Sequence, residues 1–211
     1  MDCFSNLHRS AMPWIIIILG YLLGSLPTAF LAGHFLRGVD IRRVGDENMG
    51  AANAYHQLGP AVGVVIGVID GAKGALAVLL AQSAGLSLPA ASPELWQAGQ
   101  LVVLSTGLAA VAGHNWPVFI GFRGGRGAST TIGILLVLTT KPMLILAIPT
   151  LAILIIKRST TPALAFLFIA LPFISWWLHV SGLLIAYGIA LPAVVGLTHY
   201  FRVRGRVATV C

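Results

Sequence analysis

Apolar residues run along the chain in long blocks, and the polar interruptions between them are short. Seven blocks are read, at about 12–36, 58–82, 96–115, 127–140, 142–156, 160–178 and 181–200. A hydrocarbon core of about 30 Å needs roughly 20 apolar residues of helix to cross it. The blocks therefore predict an all-α polytopic membrane protein of about seven transmembrane helices. The fourth and fifth are short and are split by Lys141-Pro142. A proline there lacks the N–H that a continuing helix needs, so the pattern predicts a hairpin turn at that site. Glycines and prolines inside the other blocks are tolerated where neighbouring helices satisfy the backbone.

Composition sharpens this picture. Of 211 residues, 57% are hydrophobic and 9% are charged, against about 25% charged in a soluble domain. One integral-membrane domain over residues 1–211 is expected, with no separate soluble part. Cys3 and Cys211 stand at opposite ends and no CxxC spacing occurs, so neither a disulfide framework nor a metal site is expected, and no cofactor. Arg9, the apolar run 14–23 and Gly24-Ser25 have the layout of a signal peptide; an uncleaved first span is the preferred reading.

Charge orients the spans. The net charge is +7, and with seven spans ten cations fall on one side: Arg37, Arg42, Arg43, Arg123, Arg126, Lys157, Arg158, Arg202, Arg204 and Arg206. Arg9 and Lys141 fall on the other, and Lys73 lies inside a span. Cationic loops mark the cytoplasmic face. The N-terminus is thus expected outside and the C-terminus in the cytoplasm. The basic balance belongs to the membrane, and no aromatic-rich basic surface points to nucleic acid. The same topology puts 45–57, 113–130 and 199–206 on one face, where they could form one site.

The segment "GHNWPVFIGFRGGRGAST", 113–130, carries the most specific chemistry. Gly124, Gly125 and Gly127 let backbone approach a ligand, and successive N–H groups can form an anion nest. Ser129 lies in the first turn of the next helix, whose N-terminus favours negative charge. Arg123 and Arg126 offer forked donors suited to phosphate oxygens. Together these predict a phosphate cradle at the membrane surface; a basic loop meeting lipid head groups is the alternative. In "VGDENMGAANAYHQLG", 44–59, Asn48 and Asn53 can hydrogen-bond hydroxyls or phosphate, and Gly45 and Gly50 allow close approach. Asp46, Glu47 and His56 could titrate. The same residues would also serve a solvated turn. Asp70 and Lys73, spaced i,i+3, share a helix face; an intramembrane pair of this kind is either functional or a structural ion pair. His114 stands at a helix end, with a packing or a ligand role.

Taken together, these segments resemble one family, the integral-membrane PlsY-type acyl-phosphate:glycerol-3-phosphate acyltransferases of bacteria. "GSLPTAFLAG" resembles its first-span signature, "GDENMGAAN" its GSGNxGATN and "DGAKG" its DxxKG. The segment 113–130 is similar to GHxxPVFxxFKGGKGVAT nearly position for position, and "KRSTTPAL" to the start of a late span. The resemblance implies a seven-span fold in the bacterial plasma membrane with its active site facing the cytoplasm. It implies two substrates, acyl phosphate and glycerol 3-phosphate, and transfer of a fatty acyl group to the 1-hydroxyl of the second. Asp46, Asn48, Asn53, His56, Lys73 and His114 are then the catalytic candidates. Gly45, Gly50, Arg123, Gly124, Gly125, Arg126, Gly127, Ser129, Arg202 and Arg204 are the substrate-binding candidates.

The departures that change chemistry cluster in the acceptor half of the pattern, while the arginine loop keeps its charge. Asp46 and Glu47 stand for serine and glycine, Ala52 for threonine and His56 for arginine. Arginines 123 and 126 stand for lysines, and "RVRGR", 202–206, for RHRxN. Two carboxylates beside a phosphate site would repel a dianion unless paired, and Arg37, Arg42 and Arg43 are the expected partners. Other readings stay open: the same fold with another acceptor or without activity, or a transporter of an organic phosphate, for which intramembrane charges and split spans are typical.

Overall fold

The computed structural model describes residues 2–86 and 93–210, with side chains described within 12–84 and 99–201. Among these residues the fold is all-helical, without strands. Six helical stretches are long and apolar enough to cross a membrane: Met12–Arg37, Pro60–Ala84, Gly99–Ile120, Thr140–Lys157, Thr160–Trp177 and Gly182–Phe201. The helices are α1 (Asp2–Gly24), α2 (Thr28–Arg37), α3 (Ala51–Leu58), α4 (Pro60–Ala81), α5 (Pro93–Asn115), α6 (Ala128–Leu138), α7 (Thr140–Lys157), α8 (Thr160–Trp177) and α9 (Gly182–Val210).

Three features differ from the expectation. The fourth block is only the 11-residue α6, about 16 Å at 1.5 Å per residue, roughly half a hydrocarbon core. The break between the fourth and fifth blocks falls at Thr139 (φ −130°, ψ 51°), not at Lys141-Pro142. Pro142 instead lies in the first turn of α7, where a missing N–H costs nothing. The third difference is α3, a helix in a stretch read as a polar loop.

The chain divides into two compact units, Met1–Ile134 and Leu135–Cys211. In the first, α1 packs on α5. Gly20 and Gly24, four residues apart, let the backbones meet: a Cβ on Gly20 would strike Thr106, and one on Gly24 the carbonyl of Ala110. Small residues at this spacing are how apolar helices approach closely in lipid. The first span breaks between α1 and α2 because Pro27 has no N–H and pushes Leu26 out of helical conformation. Ile41, Met49, Ala54, Leu58, Ala29 and Ile66 form a buried cluster that seats the 38–50 loop and α3 on α2 and α4. The start of α6 packs on α4, with Gly74 facing the Thr130 carbonyl and Gly133 facing Gly71.

In the second unit α7 packs on α8 and α8 on α9. Met143, Leu146, Leu167, Leu171 and Leu191 are buried, while Ile148, Ile156, Trp176 and Trp177 are exposed. That outward apolar surface suits lipid.

Candidate active site

Two loops of the first unit come together. The first follows α2, which ends at Gly38 in the left-handed region (φ 65°). Asp40 then caps a 3₁₀ turn over Ile41–Arg43 by accepting the Arg42 backbone N–H at 3.0 Å. Its carboxylate also accepts from Arg42 Nε at 2.9 Å and Nη2 at 2.8 Å. That hydrogen bonding to Arg42 holds the Asp40 carboxyl below the usual carboxylate range. Arg42 reaches on: Nη1 donates to the Ile120 carbonyl at 2.9 Å, and the guanidinium lies 4.7 Å from the centre of the Phe30 ring. The first loop is thereby tied to the second.

Asn53 organises the rest of the first loop from α3. Its buried amide donates from Nδ2 to the carbonyls of Ile41, Val44 and Asn48 at 3.0–3.1 Å. Its Oδ1 accepts the Asp46 N–H at 3.1 Å. Gly45 is required where the chain passes this side chain. Its φ is +61°, and a Cβ there would meet Asn53 Oδ1 and Gln57. Asp46 Oδ1 accepts the Asn48 N–H at 3.1 Å. Asn48 is buried against Gly50, its Oδ1 without a hydrogen-bond partner among the described residues.

The second loop, 116–127, folds back onto the end of α5. Gly124 N–H donates to the Asn115 carbonyl at 3.2 Å and Gly125 N–H to the His114 carbonyl at 2.9 Å. A Cβ on Gly124 would strike the His114 carbonyl, and one on Gly125 the His114 ring. This corrects the expected anion nest at these two glycines. Their amides are spent on α5 carbonyls, and their lack of a side chain serves close packing. Gly127 (φ 81°) caps α6, its carbonyl accepting the Thr131 N–H at 2.8 Å.

Arg126 projects from this loop to the other: its Nη2 lies 3.2 Å from Asp46 Oδ2. The expected partners of Asp46, Arg37, Arg42 and Arg43, are thus replaced by Arg126. Arg42 and Arg43 both face Asp40, at 2.8 and 3.9 Å, because the 3₁₀ turn puts that carboxylate one residue before the turn they occupy.

A buried polar cluster lies at the break in the first span. Lys73 Nζ is 3.0 Å from Asp70 Oδ1 and donates to the Leu26 carbonyl at 3.1 Å. Thr28 Oγ1 donates to Asp70 Oδ1 at 2.6 Å, and His114 Nδ1 is 3.8 Å from the same oxygen. Asp70, Lys73 and His114 are all nearly inaccessible. A helix break inside a membrane leaves carbonyls that water cannot reach, and Lys73 satisfies one of them. His114 joins this cluster to Gly125, so α2, α4, α5 and the second loop share one anchor.

The remaining candidates are dispersed. His56 is exposed on α3, its ring edge-on to Tyr55. Arg123 is exposed, and Ser129 half-buried in the first turn of α6. The Arg202 and Arg204 side chains lie outside the described residues. Sequence reasoning missed Thr28, Asp40 and the bridging role of Arg42. An aspartate directly before "IRR" was the available signal, as a turn cap. Beside the cluster an apolar groove of about 390 Å³ runs between α2 and α4, lined by Thr28, Leu31, Leu36, Val65 and Ile69 among others.

A family model described as glycerol-3-phosphate acyltransferase matches residues 14–208. Glycerol-3-phosphate acyltransferase 4 of Dehalococcoides mccartyi is 47% identical over 198 residues, covering 92% of this chain and 98% of that protein. Glycerol-3-phosphate acyltransferase 1 of the same organism is 38% identical over 166 residues, covering 76% and 74%. Among solved structures, the chain is similar to PlsY (YgiH), an integral membrane glycerol 3-phosphate acyltransferase. The glycerol 3-phosphate form gives a TM-score of 0.74 and the lysophosphatidic acid form 0.75, each at 27% identity over 94% of this chain and 93% of that one.

Proposed function

This chain belongs to the glycerol-3-phosphate acyltransferase family, and on that premise we propose that it moves a fatty acyl group from acyl phosphate to the 1-hydroxyl of glycerol 3-phosphate. The products are 1-acylglycerol 3-phosphate and phosphate. The hydroxyl oxygen attacks the acyl carbon and the carbon–oxygen bond to phosphate breaks; overall, the hydroxyl proton leaves with the phosphate. An acyl phosphate carries a good leaving group, so positioning and charge stabilisation suffice without a covalent enzyme intermediate.

The observation that carries this reading is the meeting of Arg126 with the Asp46–Asn48 loop. A guanidinium, suited by its geometry to phosphate oxygens, there meets polar donors and acceptors in a membrane chain. Arg126 and Arg123 hold the leaving phosphate, Ser129 contributes from the first turn of α6, and Asn48 faces the acceptor. The α2–α4 groove, polar only at its Thr28 end, takes the acyl chain. Asn53, Lys73 and His114 act as positioning residues, since their polar atoms are committed to loop and helix-end contacts. The site faces the cytoplasm of a plasma membrane, in keeping with the ten cations assigned to that side.

Purified protein given palmitoyl phosphate and glycerol 3-phosphate should release phosphate and form the lysolipid together. Arg126→Ala should lose roughly 1.5–3 kcal/mol of transition-state or donor binding, the worth of a charge-assisted hydrogen bond, while remaining folded in detergent. Full activity in that variant removes Arg126 from the mechanism. Turnover with another polyol phosphate but none with glycerol 3-phosphate points to a changed acceptor.

A further inference from the structure

Asp46 occupies the place at Arg126 that an incoming anion needs. We propose that its carboxylate is an internal competitor for that seat: phosphate displaces it on entry, and it reclaims Arg126 when phosphate leaves. This rests on the reading of Arg126 as the phosphate holder.

The carboxylate is aimed. Asn53 fixes the Asp46 backbone N–H, and the Asn48 N–H takes Oδ1, which leaves Oδ2 to face Arg126 Nη2 at 3.2 Å. The loops that carry the two side chains are tied together separately, through Arg42 and the Ile120 carbonyl. Opening the pair therefore leaves the loops joined, although an Asp46 side chain that swings away also gives up the Asn48 N–H. A carboxylate oxygen and a phosphate oxygen are the same kind of acceptor for a guanidinium, so a phosphate on that edge takes the place of Oδ2.

The side chain of Asp46 is 40% exposed and that of Arg126 22%. A part-hydrated pair of this kind shifts an equilibrium by roughly two- to fivefold. It is strong enough to be felt and weak enough to be displaced. An intramolecular competitor multiplies every anion's dissociation constant by one common factor. The result is a threshold. Weak monoanions, including fatty carboxylates that share the donor's acyl chain, are pushed out of range, and product phosphate departs sooner. A fixed negative charge that merely repels behaves differently. Its Coulomb energy on a dianion is twice that on a monoanion, so the fold-changes are related as a square.

That difference is the test. Inhibition of acyl transfer by sulfate, a dianion, and by methanesulfonate, a monoanion, is measured at constant ionic strength in the parent, Asp46→Asn, Asp46→Ser and Arg126→Ala. Displacement predicts that both inhibition constants fall by the same factor, roughly two- to fivefold, in both Asp46 variants. A fall for sulfate near the square of that for methanesulfonate makes Asp46 a fixed repulsive charge and overturns the proposal. So does an unchanged pair of constants. Residual turnover of Arg126→Ala should be insensitive to both anions. If it is inhibited like the parent, the assignment of phosphate to Arg126 fails instead, whatever the Asp46 variants show.

Discussion

Lys73 belongs to the middle of α4, yet its ammonium ends 3.1 Å from the carbonyl oxygen of Leu26, in the break of the first span. The same nitrogen is 3.0 Å from Asp70. One cation thus bonds a carbonyl in the helix break, which also accepts the Thr28 N–H at 3.1 Å, and balances a buried carboxylate.

Removing that cation should be costly. Lys73→Met leaves Asp70 as an uncompensated buried charge, which typically costs about 3–5 kcal/mol. The melting temperature in detergent should fall sharply. Adding Asp70→Asn to Lys73→Met should recover much of the loss, because the stranded charge is gone. A double variant as unstable as the single one would show that the Leu26 contact, not the charge balance, dominates.

The Asp40–Arg42 pair gives a pH signature. The carboxyl of Asp40 titrates below its ordinary 3.8 because Arg42 hydrogen-bonds its charged form. A depressed folded pKa adds stability that is present above the unfolded value and is lost as pH falls through the folded one. Melting temperatures from pH 8 to pH 5 should therefore carry no contribution that varies from this pair. Asp40→Asn should be less stable than the parent throughout that range, and the gap should close only below about pH 4. A gap that closes near neutrality would assign the effect to another group.

The glycines of the second loop should not be equivalent. Gly121 has φ 71° with open space around it, so Gly121→Ala meets only backbone strain, about 1–2 kcal/mol. Gly124→Ala drives a methyl into the His114 carbonyl, and backbone cannot turn aside as a side chain can. Acyl transfer should survive the first change and be largely lost in the second. The opposite ranking would mean that the loop leaves α5 during turnover.

Topology can be checked in whole cells. In a background with Cys3→Ser and Cys211→Ser, a cysteine replacing Ser92 should react with an impermeant thiol reagent, and one replacing Gly121 should not. Reversed labelling would put the arginine loop outside.

Much of this was legible because lipid imposes a simple code. Runs of apolar residues mark helices, and six of the seven blocks correspond to helical stretches of spanning length. Block four, read as short, is the 11-residue α6; hydropathy reports what a helix touches, not how far it reaches. Proline misled. Pro142 looks like a break but fits the first turn of α7, whereas Pro27, hidden in an unbroken apolar run, makes a real one. At the site, Arg126, Asp46 and Asn53 stood out as polar residues in segments rich in glycine. Their pairing was beyond the sequence, since nearness along the chain favoured Arg37, Arg42 and Arg43 for Asp46. Capping by Asp40 decided it, and capping is settled by the turn that the chain adopts.

The break at Pro27 also bears on how the chain is assembled. A first span entering the bilayer alone would carry into oil a Leu26 carbonyl bonded only to the Thr28 N–H and an unanswered Thr28 hydroxyl, and polar groups left short of partners there are costly. The residues that answer them, Lys73 and Asp70, are synthesised more than forty positions later. Until α4 arrives, the early helices gain by staying beside the insertion machinery, where water and protein still offer partners. The break is thus completed only when α4 packs against it, and α1, α2 and α4 should enter the lipid as one packet.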